Sequence, residues 1–258
     1  MPTMTKYDPG TPCWVELATT DLDAAKKFYG DVLGWSDYET GGEETGFYTT
    51  PKIDGKRVCG MMGHDASAGV PPHWGTYVSV PDAEATAKKA KDLGATVLVE
   101  PMDVMDLGRM VVMMDPEGAA ISAWQPKQHI GAEIHTEPGA WCWNELYSKD
   151  PDKAKEFYKG LFGWGSHSST EPMEYTEFQV GDRTIGGMMK LTEQMGPMPP
   201  NWLVYFDVED TPATIEKVNK AGGNVLMGPM QIDGVGNIAV IADPQGAVFA
   251  VIKMEMEH

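Results

Sequence analysis

Two short strings in this sequence set an indole and a carboxylate two positions apart: Trp14-Val-Glu16 and, 129 residues later, Trp143-Asn-Glu145. Side chains at i and i+2 of a strand share one face, so each pair points the same way if the strings are extended. The indole offers a flat apolar surface to an aromatic or cationic molecule. The carboxylate can pair with a cation, or serve as general acid or base where apolar surroundings raise its pKa. Glu16 and Glu145 are therefore the candidate catalytic residues, and Trp14 and Trp143 the candidate ligand contacts. A plainer role fits equally well: each Glu could hold a neighbouring strand or the linker by hydrogen bonds.

Other side chains qualify by type and place. Tyr77, Tyr205 and Ser122 are the donors nominated to stabilise a developing enolate. Met62 and Met189, with Met61, Met110, Met113, Met114 and Met188, supply apolar lining that adapts to mixed shapes or ordinary core. His73 stands just before a strand containing Tyr77; its repeat partner is Asn201, so acid–base or ligating work there is confined to one half. No histidine lies in an HxH or HExxH arrangement, and Cys13, Cys59 and Cys142 show no CxxC spacing. GxSxG and phosphate-cradling loops are absent too, so neither metal nor other cofactor is expected.

The elements that would carry these residues repeat. Trp14, Glu16, Leu17, Asp21, Ala25, Phe28, Tyr29, Gly34 and Trp35 recur at a shift of 129, and Asp115-Pro116 with Gly118 recurs as Asp243-Pro244 with Gly246. Residues 13–19 alternate as a strand whose Cys13, Val15 and Leu17 pack on a helix, leaving Trp14, Glu16 and Ala18 on the open face. Asp21, or Thr20 with Asp23, caps a helix whose apolar stripe is Leu22, Ala25, Phe28, Tyr29 and Val32, and Gly34 ends it. Strands are predicted over 35–38, 47–52 and 57–62. The order βαβββ then recurs with a strand over 76–80, a helix over 82–93 and strands over 97–100, 109–114 and 119–124. The expectation is an α+β fold of four βαβββ modules, paired into domains 9–126 and 138–254 around curved sheets, with 127–137 as linker.

The 258 residues carry 20 Lys and Arg against 38 Asp and Glu, a net charge of −18 that repels nucleic acid and anionic membranes. No apolar run nears the roughly 18 residues that cross a bilayer, and no secretory signal is visible at the start. The three cysteines read as reduced thiols. A cytoplasmic monomer or homodimer with a small-molecule partner is expected.

Phe28-Tyr29 with Leu33-Gly34-Trp35, Phe157-Tyr158 with Phe162-Gly163-Trp164, and the two Asp-Pro-x-Gly turns resemble the vicinal oxygen chelate superfamily of glyoxalases, extradiol dioxygenases and drug-resistance proteins. Within it, GTPCWVELATTD, DPEGAAISAWQ and HIGA are similar to a two-domain glyoxalase-like group that includes mycobacterial culture-filtrate antigens and streptomycete proteins called hydroxylases. The resemblance implies a cupped sheet for each pair of modules. It also implies metal ligands at positions that here hold Trp14, Gly75, Trp143 and Leu203, and on the last strands Ser122 and Ala250. A binding protein for an aromatic or cationic molecule is one implied function; a lyase or isomerase of glyoxalase type, or a dioxygenase, is the other. Because Trp124 and His73 are replaced by Ile252 and Asn201, the halves should diverge, the first keeping the tighter pocket.

Overall fold

The computed structural model describes residues 3–65, 67, 69–171 and 174–255. The first half runs β1 (Pro12–Thr19), α1 (Leu22–Leu33), β2 (Asp37–Thr40), β3 (Thr49–Ile53), β4 (Lys56–Arg57), β5 (Gly60–Gly63), β6 (His73–Ser79), α2 (Ala83–Asp92), β7 (Thr96–Val104), β8 (Gly108–Met114) and β9 (Ala120–Pro126). The second runs β10 (Trp141–Ser148), α3 (Pro151–Phe162), β11 (Gly165–Ser169), β12 (Tyr175–Val180), β13 (Arg183–Lys190), β14 (Asn201–Asp207), α4 (Thr211–Lys220), β15 (Asn224–Ile232), β16 (Gly236–Ala242) and β17 (Val248–Met254).

Local chemistry sets the helix ends. The Asp21 carboxylate accepts from the Ala24 N–H at the start of α1, and Gly34 closes it at φ 82°, a left-handed value that costs a residue with a Cβ. Asp150 and Gly163 repeat the arrangement around α3. Each half forms one open, curved sheet, with β1 antiparallel to β6 and β10 antiparallel to β14 at its centre. The strand predicted over 57–62 is two strands in the structure. The inter-half segment explains the break: Glu133 donates its N–H to the Arg57 carbonyl and accepts the Arg57 N–H on its carboxylate. In the second half β13 runs unbroken from Arg183 to Lys190.

The cores interlock. The α1 stripe packs on its own sheet and on the other half at once, with Tyr29 5.4 Å from Trp74 and 5.3 Å from Phe249, ring centre to ring centre. The Tyr29 hydroxyl donates to Asp243 at 2.9 Å, and Tyr158 answers by donating to Asp115 at 2.8 Å. Trp35 donates its indole N–H to the Gly139 carbonyl and Trp164 to that of Gly10. The Asp-Pro-x-Gly turns thus anchor the tyrosine of the opposite half. Among the described residues no helix is long and apolar enough to cross a membrane.

Candidate functional site

On β1, Trp14, Glu16 and Ala18 alternate with Cys13, Val15 and Leu17, and Trp14 is itself buried in the same apolar cluster as Cys13, Val15 and Leu17. Register places Trp14 beside Tyr77, Glu16 beside Gly75 and Gly60, and Ala18 beside His73 and Met62. The Glu16 carboxylate is held from two sides: Tyr77 on the adjacent β6 donates to Oε1 at 2.9 Å, and Tyr48, entering β3, donates to Oε2 at 2.6 Å. The Trp14 indole N–H donates to the Tyr48 oxygen at 3.0 Å. Each hydroxyl and each carboxylate oxygen therefore has a partner, although the cluster sits in apolar surroundings.

The second half repeats this chain of bonds. Tyr205 donates to Glu145 Oε1 and Tyr175 to Oε2, both at 2.9 Å, and the Trp143 indole donates to Tyr175 at 3.1 Å. Burial raises the pKa of both Glu16 and Glu145; tyrosine hydrogen bonds pull each back only in part, and for Glu16 so does the charge of His73. A Cβ on Gly60 would overlap the Tyr48 hydroxyl, and one on Gly187 the Tyr175 hydroxyl. Glycine at these two positions is what lets each tyrosine reach its Glu.

The two inner faces differ in several respects, beginning with Leu203 opposite Glu145 where Gly75 stands opposite Glu16. Ser122, on β9, stands beside Tyr77 in the first half, where the second has Ala250 beside Tyr205. Tyr147 replaces Ala18 and brings a third hydroxyl to Glu145. The inter-half segment also enters the first cup. Its His129 ring lies edge-on to Trp14 at 4.6 Å and to Trp124 at 5.8 Å, and Trp124 donates to the His129 carbonyl. Trp14 is consequently buried, whereas Trp143 is partly exposed and packs on the apolar cluster that includes Leu203 and that Met189, Leu191 and Met198 also cover. Burial, with the nearby charge of Arg57, pushes the His129 pKa down to about 4, so its ring is neutral at physiological pH.

The remaining residues sort by strand face. Met62 lies at the rim and Met189 inside the second cup, while Met61, Met113 and Met188 turn to the helix side as core. His73 is exposed at the first residue of β6, its Nδ1 bonded to the Pro71 carbonyl at 2.9 Å. Asn201 makes the same bond to Pro199, so His73 occupies a role that an amide also fills. Tyr48, Tyr175 and His129 were not singled out from sequence, whereas strand alternation does place Tyr147 on the open face with Trp143 and Glu145. A signal for the first two existed: they recur at the shift of 127 that relates Gly60 to Gly187.

A divalent metal does not fit these faces. Trp14 and Trp143 offer only donors, both oxygens of each Glu already receive hydroxyl protons, and the described residues contain no cluster of three His, Cys, Asp or Glu able to hold an ion. A cavity of about 400 Å³ opens elsewhere, under the start of α3, lined by Lys149, Asp150, Lys155, Ser168, Thr176 and Lys190. It lies on the helix side of the sheet, away from Glu145.

The model of the Glyoxalase/Bleomycin resistance protein/Dioxygenase superfamily matches residues 13–123 and again 129–251. The chain is 41% identical over 261 residues to “Putative glyoxylase CFP32” of Mycobacterium tuberculosis, covering 98% of both chains. It is 32% identical to “Anthracycline biosynthesis protein DauV” of a Streptomyces species, covering 97% of this chain and 96% of that one. Among solved structures, the Mn(II)-bound glyoxalase from Novosphingobium aromaticivorans superposes with a TM-score of 0.65 at 16% identity, over 97% of this chain and 86% of that one. The 2,2',3-trihydroxybiphenyl 1,2-dioxygenase of Sphingomonas wittichii gives 0.64 at 12% identity, over 95% and 91%. At such identities these two show the fold alone.

Proposed function

We propose, for a chain that belongs to the glyoxalase/bleomycin resistance protein/dioxygenase superfamily, that its inner sheet faces form a site for a small, flat organic molecule stacked on tryptophan, without a metal ion. The carrying observation is the repeated Trp–Tyr–Glu–Tyr chain of hydrogen bonds. It sets an indole donor where the resemblance would put a metal ligand, with the buried carboxyl two residues further along the same strand. Methionine and leucine around Trp143 give the apolar enclosure that small-molecule sites generally have. The anthracycline biosynthesis proteins among the relatives are named for flat polycyclic products, a shape that suits an exposed indole.

The test uses two flat tricyclic probes, neutral 9-fluorenone and cationic N-methylacridinium, read by quenching of tryptophan fluorescence alongside thermal melts. Glu145→Gln should weaken quenching at little cost in stability, and the Glu16→Gln, Glu145→Gln double variant should add nothing to the loss, because the His129 ring covers Trp14 in the first half. Unchanged quenching with a large drop in Tm would make each Glu a strut and sink the pocket. Elemental analysis finding about one transition metal per half, lost together with ligand binding in EDTA, would remove the metal-free part.

The raised pKa of Glu145 favours one second reading, proton abstraction beside a carbonyl. Exchange of the α-hydrogens of 2-indanone into D₂O, followed by NMR, would then be accelerated by the protein and lost in Glu145→Gln.

A further inference from the structure

Three tyrosine hydroxyls converge on Glu145, and two of them account for its oxygens: Tyr205 bonds Oε1 and Tyr175 bonds Oε2. Tyr147 is the third. It follows Glu145 by two residues on β10, so it shares the inner face, between Asn201 on one side and Met189 on the other. Its hydroxyl interacts with Glu145 and Tyr205, but the carboxylate keeps one donor per oxygen without it. A tyrosine has a single O–H to give. Tyr147 can therefore turn that proton to a guest without leaving Glu145 bare, which neither Tyr175 nor Tyr205 can do.

The surroundings say what kind of guest. Trp143 presents a partly exposed indole and packs on the apolar cluster that includes Leu203 and that Met189 and Met198 also cover, which suits a flat hydrocarbon framework. A negatively charged group would meet Glu145, so a neutral acceptor is the better match for the hydroxyl. The first half lacks this combination, since Ala18 replaces Tyr147 and the His129 ring covers Trp14.

Resting on the binding reading above, we infer that Tyr147 makes the second cup specific for a flat molecule carrying a neutral carbonyl oxygen, which it binds by donating a hydrogen bond while the ring system lies against Trp143.

The experiment pairs 9-fluorenone with fluorene, which has the same outline with a methylene in place of the carbonyl. For the wild-type chain, titration calorimetry should give one fluorenone per chain, bound roughly three- to tenfold tighter than fluorene, the effect of one hydrogen bond. Difference infrared spectra should show the bound carbonyl stretch lowered. Tyr147→Phe should erase both the preference and the infrared shift while leaving fluorene affinity unchanged. Tyr147→Ala, which copies the residue that the first half carries, should likewise erase the preference and the infrared shift. If the preference and the shift survive in both variants, the inference falls while the binding reading stands. Two fluorenone molecules per chain with equal affinity would overturn the confinement to the second cup. Binding of neither probe to the wild-type chain would remove the pocket and this inference with it.

Discussion

A carboxyl group buried among tyrosine hydroxyls is held in one orientation, and the same burial makes it harder to ionise. The folded pKa of Glu145 and Glu16 lies above the unfolded value, so between those two values the folded chain binds more protons than the unfolded one. Stability from these groups is then present below the unfolded pKa and lost as pH rises through the folded pKa. We expect the melting temperature of the wild-type chain, relative to Glu145→Gln, to climb as pH falls from neutral toward the ordinary carboxylate range; a flat difference would show that Glu145 titrates normally. The glycine opposite gives a sharper test. Gly187→Ala would force the Tyr175 hydroxyl off Glu145, and we expect a loss of about 1–3 kcal/mol together with a blue-shifted or weakened response of Trp143. A variant with wild-type stability and quenching would show that the tyrosine does not depend on that space.

At the scale of elements, the inter-half segment does more than join. Ala132 donates to the Cys13 carbonyl, Tyr7 donates to the Ala132 carbonyl, and Glu133 pairs with Arg57, so the segment is laced onto β1 with His129 delivered to Trp14. The bulge between Pro12 and Trp14 lies where the Cys13 carbonyl meets this segment. Gly131 permits the contact, because a Cβ there would overlap the same carbonyl. His129 has a folded pKa of about 4, below the usual 6.5, so between those values the unfolded chain holds more protons. Its contribution to stability grows with pH across that window and is lost on acidification. Relative to His129→Leu, the wild-type chain should lose about 2–3 kcal/mol between pH 6.5 and 4. Equal pH profiles would mean that the ring is not enclosed. His129→Gly should also expose Trp14 and red-shift its emission.

For the whole molecule, the halves are a repeat in sequence and one unit in packing. Phe28 and Tyr29 lie against Phe249, Tyr29 bonds Asp243, Tyr158 bonds Asp115, and Thr76 donates to the buried Asn144 at 2.9 Å between the sheets. Cutting the chain between the halves would strand these aromatic faces in water, at a cost on the order of 1.5–3 kcal/mol for each large side chain. We expect a single cooperative unfolding transition, with calorimetric and van't Hoff enthalpies equal. An isolated half, residues 1–128, should be unfolded as a monomer or folded only as a pair of copies; a folded monomer of that segment would overturn the shared core.

What the sequence determined by itself follows from short-range rules. The 129-residue repeat, the Asp caps and glycine stops of α1 and α3, and the alternation that sorts Trp14 and Glu16 from Val15 and Leu17 need only neighbours in the chain. So the βαβββ order, and the placing of Trp14 with Glu16 and of Trp143 with Glu145 on one face of their strands, were legible there. The partners of those carboxyls were not. Tyr48 lies 32 residues from Glu16, and its reach depends on a loop path and on the space left by Gly60. The burial of Trp14 under His129, and the bond from Tyr29 to Asp243 across 214 residues, depend on how the inter-half segment crosses β1 and how the two sheets face each other. Periodicity says which side of a strand a residue occupies; only the packed chain decides what stands opposite.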